Sequence, residues 1–130
     1  MGIIEIVVAM LLLALLLLSF APVLVNTIKL SARNTTIATA TQIVSQQIEA
    51  ARAVSTQSST ATKCSDIAGF IAITPAPVVD PRGVTLQPVW TAITCPLIYP
   101  GVVKVRVSVT QPGYPAATAS ATTLILVTAP

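Results

Sequence analysis

Apolar residues fill the chain from Ile3 to Ile28 almost without interruption, and Glu5 is the one ionisable side chain in that stretch. Residues 6–18 read Ile-Val-Val-Ala-Met-Leu-Leu-Leu-Ala-Leu-Leu-Leu-Leu, with no charge, Gly or Pro. About 20 such residues span a bilayer as a helix. A single segment in hydrocarbon satisfies its own backbone polar groups only as a helix, and Leu, Ala and Met are good helix formers. The pattern therefore predicts a membrane-competent helix over residues 1–28, with Lys29 and Arg33 marking its wet end.

After Pro22 the apolar positions thin out but keep near-helical spacing, at Ile28, Ile37, Ala40, Val44, Ile48 and Ala51, with Thr39, Gln42, Gln46, Glu49 and Arg52 between them. Residues 29–54 thus read as an amphipathic continuation of the same helix, with one stripe to bury and one polar face. At 1.5 Å per residue a continuous helix over both parts would run roughly 80 Å. Ser55–Thr62 is a tract of small hydroxyl residues, which compete with the helical backbone for hydrogen bonds, and is expected to end the helix in a surface loop.

Past Cys64 the period changes to that of strands. Phe70–Thr74 is a short apolar run closed by Pro75 and Pro77, and Pro77-Val78-Val79-Asp80-Pro81-Arg82-Gly83 is turn material. Val84–Cys95 is β-rich, but Pro88 cannot donate to a ladder and so implies an edge or a bulge there, with Trp90 anchoring the strand against the helix. In Val102–Thr110 the valines at 103, 105, 107 and 109 alternate with Lys104, Arg106, Ser108 and Thr110, the mark of a half-buried antiparallel strand. Ala119–Thr128 follows as the last strand. The expected fold class is α+β: a long N-terminal helix packed on a small antiparallel sheet of three or four strands, with residues 55–130 forming the β domain.

Composition sharpens this picture. Only 8% of the 130 residues are charged and His is absent, which leaves a soluble monomer poorly protected against association but suits a chain packed among its own copies. The seven Lys and Arg residues are scattered, so nucleic acid is not indicated as a partner. Cys64 and Cys95 suggest one disulfide in an exported domain, two buried free thiols being the other reading. A bridge closing about 31 residues would stabilise the domain by roughly 3.5 kcal/mol. With no imidazole base, no adjacent carboxylates and no Gly-rich phosphate loop, the sequence offers no catalytic residues, no cofactor site and no metal site; Asp66 and Asp80 are too few hard ligands for calcium. An enzyme is not expected.

Two residues make the apolar segment more than an anchor. Glu5 is an ionisable group in an apolar run, costly in hydrocarbon, placed in the first helical turn where the dipole favours a negative charge. Pro22 lacks the N–H that would bond back to Leu18, which weakens the helix there. Met1, Ile3, Ile4, Glu5, the apolar run to Phe20, and Pro22 together resemble the N-terminal segment of bacterial type IV pilins and the related type II secretion pseudopilins. The resemblance covers roughly residues 1–55 and is most specific over the first 25. Gly2 departs from the Thr or Ser often found there, and Ala14 stands where many members carry a helix-loosening Gly.

That resemblance implies the mature form of a structural subunit of an extracellular pilus. It would be held in the bacterial cytoplasmic membrane before assembly, processed by a prepilin peptidase, and polymerised by the pilus machinery into a helical filament of identical subunits. Residues 1–28 would form the filament core. Glu5 of one subunit would pair with the Met1 α-amino group of a neighbour and set their register, and the helix would break over Leu17–Ala21, before Pro22. A type II secretion pseudopilin or minor pilin is the alternative within the family, and a plain membrane-anchored binding module the alternative outside it. The missing acidic calcium loop favours a pilin proper.

Overall fold

The computed structural model describes residues 2–57, 61–114 and 116–130. The chain divides into two compact units, Met1–Thr35 and Thr36–Pro130. A single helix, α1 (Ile3–Gln57), supplies all the regular structure of the first unit and the opening helical layer of the second.

In the first unit α1 is exposed apart from the half-buried Ala32, large apolar side chains included. No other element belongs to this unit. The helix holds because the Leu- and Ala-rich run loses little side-chain freedom in this conformation. It continues through Pro22 without interruption in the single chain. The break expected over Leu17–Ala21 concerns the packed filament, a different state.

The second unit is a helical layer on one face of a four-stranded antiparallel sheet, an α+β fold. The strands are β1 (Val78–Val79), β2 (Thr85–Trp90), β3 (Gly101–Thr110) and β4 (Ala119–Val127), ordered β1-β2-β3-β4 as a simple meander. The expected alternation in β3 is realised: Val103, Val105, Val107 and Val109 are fully buried, while Lys104 and Arg106 point outward. Burying each valine contributes about 1.5–3 kcal/mol before entropy is counted. Two apolar clusters fill the space beneath. One joins Ala51 to Cys64, Ile67, Val105 and Ile125; the other joins Ala40, Ile43, Val44 and Ile48 to Leu86, Val107 and Val109. Trp90 packs against both, and its ring meets Phe70 edge-on at 5.8 Å between centroids.

Several sequence expectations need correction. Residues beyond Cys64 do not begin with a strand: Cys64–Ala72 is a second helix, α2. Its buried residues Cys64, Ile67 and Ile71 fall at helical spacing, and Asp66 sits in its first turn, where a negative charge is favoured. It ends at Ile73, which is extended and donates its N–H to the Phe70 carbonyl, two residues before Pro75. The apolar run 70–74 was thus mostly the tail of a helix. Helix α1 runs three residues past Val54, to Gln57; the part of the hydroxyl tract at 58–60 lies outside the described residues. The buried stripe is Thr36, Ala40, Ile43, Val44, Ile48 and Ala51, so Thr36 joins it while Ile37 and Ile28 stay exposed. Val78 and Val79, expected within the turn, instead pair with Leu86 and Thr85 as the short strand β1, which leaves Asp80–Gly83 as the turn. The second strand is shorter than Val84–Cys95 and stops at Trp90.

Pro88 sits where its missing N–H does least harm. It faces Val109 across the β2–β3 ladder, and on its other side β1 covers only Thr85 and Leu86. Two glycines are required by geometry. Gly83 closes the β1–β2 turn with φ +81. At Gly101 a Cβ would come within 2.6 Å of the Pro96 ring. The Tyr99–Pro100 peptide bond is cis.

Candidate assembly site

The first unit presents α1 as one helix long and apolar enough to cross a membrane. Two hydroxyls of the apolar run bond back to the helix: Ser19 donates to the Leu16 carbonyl at 2.7 Å and Thr27 to the Val23 carbonyl at 2.9 Å. Side chains that bond back in this way leave no dangling donor when the surroundings are dry. Glu5 lies in the first turn, exposed, with its backbone N–H donated to the Gly2 carbonyl at 3.0 Å. Met1, the other residue expected to pair charges, lies outside the described residues. Pro22 lies within the helix, where it has no N–H to donate to the Leu18 carbonyl. Lys29 and Arg33 are exposed at the end of the apolar run.

The second unit is tied together at four places. Cys64 and Cys95 form a disulfide with their Cα atoms 5.9 Å apart. It links the first residue of α2 to the segment after β2, where a loop joined to a strand was expected. The segment entering α2 is also held by the C-terminal residues: Cys64 donates its N–H to the Ala129 carbonyl at 3.0 Å, and Thr128 donates to the Thr62 carbonyl at 2.9 Å. Arg52 donates through Nε and a terminal nitrogen to the Thr123 hydroxyl, at 3.3 and 3.0 Å, and pairs with Glu49 at 2.9 Å.

The fourth tie was not anticipated. Asp80 is buried in the turn between β1 and β2. One carboxylate oxygen accepts the backbone N–H groups of Arg82 and Val84, at 2.8 and 2.9 Å. The other accepts the Thr36 hydroxyl from α1 at 3.1 Å, and the Arg82 guanidinium donates to the same hydroxyl at 3.3 Å. The Val84 N–H foremost, then the Arg82 N–H, the Thr36 hydroxyl and the Arg82 charge, hold the Asp80 carboxyl below its ordinary range, against the opposing effect of burial. The carboxylate accepts from three donors and so ties the hairpin to its helix contact. The signal for it lay in Asp80-Pro81-Arg82-Gly83, read only as a turn, and in a Thr on the helical stripe.

Among the described residues no three His, Cys, Asp or Glu side chains gather into a metal site. No family profile matches the chain, and neither does any curated protein or solved structure.

Proposed function

We propose that this chain is the structural subunit of a type IV pilus-like filament, built by packing the apolar N-terminal helices of identical copies. The observation that carries the reading is the pairing, on one continuous helix, of an uncovered apolar half bearing Glu5 in its first turn with an upper half that carries a disulfide-bonded α+β head. An apolar surface of this extent does not stay in water. Before assembly the bilayer covers it, and afterwards the helices of neighbouring copies do.

Glu5 is the registry element of this proposal. A carboxylate in an apolar bundle is costly unless a cation meets it, and loss of one partner from such a pair costs about 3–5 kcal/mol. A cationic group of a neighbouring copy, shifted along the axis, supplies that partner. Glu5→Ala should leave the protein membrane-bound with its disulfide intact, yet reduce sheared filament yield at least tenfold, about 1.4 kcal/mol or more in assembly. Wild-type yield from the variant would remove the registry role. Electron microscopy of sheared surface material from wild-type cells tests the reading as a whole. A chain found only as membrane-bound monomer would instead establish an anchored binding module, and short, secretion-linked filaments a pseudopilin.

A further inference from the structure

The second unit carries its free charges on opposite layers. After Asp80 the sequence contains no Asp or Glu, so the outer face of the sheet holds Lys104 and Arg106 with no carboxylate beside them. Their cross-strand neighbours are Leu124 and Thr122, and Val102 pairs with Leu126 on the same face. Val102, Leu124 and Leu126 are all more than half exposed, which makes this face both cationic and apolar. The exposed carboxylates of the unit lie on the other layer, on the helices: Glu49 on α1 and Asp66 on α2. Glu49 is already paired with Arg52. Asp66 has no ion-pair partner among the described residues, and neither has Lys104. Lys63, exposed just before α2, is the cation nearest to Asp66 in sequence, and among the described residues no ion pair joins the two.

This distribution decides how two copies can meet. Outer face against outer face would set Lys104 and Arg106 of both copies against one another, and like charges brought together at an interface cost several kcal/mol. Outer face against helix layer sets the two cations against a free carboxylate. Such a contact joins different patches of identical chains, and repeated it gives rings or open helical assemblies. We infer that the outer sheet face of one chain docks on the helix layer of a second copy, with Lys104 and Arg106 meeting Asp66. This rests on the filament reading above and adds to it a specific contact between heads.

Wild-type filaments treated with a water-soluble carbodiimide, which joins a carboxylate directly to an amine, provide the first test. An Asp66–Lys104 cross-linked peptide is expected in the mass spectrum. The two residues lie on opposite layers of one domain, so the link must form between copies. Intermolecular links that involve Lys104 and exclude Asp66, or Asp66 and exclude Lys104, would overturn the contact. The second test is a charge swap. Lys104→Glu with Arg106→Glu should lower filament yield about tenfold, and adding Asp66→Lys should recover most of the loss. Full yield from the double variant, or no recovery in the triple variant with its disulfide and thermal transition intact, would overturn the contact while leaving the filament reading standing. Wild-type cells that make no filaments would overturn both.

Discussion

Removing the disulfide is the perturbation whose size the structure defines best. The bridge spans a sequence separation of 31 residues and encloses most of α2, all of β1 and all of β2. In the chain-entropy account, closing such a loop lowers the entropy of the unfolded chain by about 12 cal/mol/K, worth about 3.7 kcal/mol at 298 K. Cys64 is fully buried in the cluster with Ile67, Val105 and Val127, so Ala is a better replacement there than Ser, whose hydroxyl would need a partner. For a domain of this size each kcal/mol moves the transition by about 4–8 °C. Cys64→Ala with Cys95→Ala should therefore lower the thermal midpoint of the second unit by about 15–30 °C. The assay is near-ultraviolet circular dichroism of the full chain in detergent micelles; Trp90, the only tryptophan, reports on the core. A shift below about 5 °C would refute the reasoning, because loop closure would then be a minor contribution. Two alkylatable thiols in native wild-type protein would refute its premise.

The carboxyl of Asp80 titrates below its unfolded value, so its contribution to stability is present above that value and is lost as pH falls through the folded one. Acid titration of the wild-type midpoint should show this loss below about pH 4, and Asp80→Asn should flatten it; an unchanged acid limb in the variant would remove Asp80 as its source. Val105→Ala, at a fully buried position between β3 and the helices, should cost about 1.5–3 kcal/mol in denaturant unfolding, and a cost under 0.5 would mean that the site collapses around the change. In assembled filaments the helix should open only over Leu17–Ala21, where Pro22 has already removed one hydrogen bond; a high-resolution map with the helix intact through 17–22, or melted back past Ala14, would refute this.

What the sequence determined by itself was set by long, uniform patterns. The apolar run 3–28 admits one solution in hydrocarbon, a helix, because every backbone group must find a partner within the segment. The alternation of β3 likewise leaves one face to bury, and a slip of one residue would expose every valine. Short and mixed segments were decided by their surroundings. Residues 64–72 are too brief for period to separate a helix from a strand, and they became α2 because Ile67 and Ile71 find Val103, Val105 and Ile125 beneath them. Thr36 and Ile37 are adjacent, and propensity would bury the isoleucine. Thr36 is buried instead because the β1–β2 turn brings Asp80, 44 residues away, to its hydroxyl. A partner that distant leaves no local trace, so the tie exists only once helix and sheet have packed. The separation of Lys104 and Arg106 from Asp66 onto opposite layers is of the same kind: composition shows few charges, and only the folded sheet decides which of them share a face.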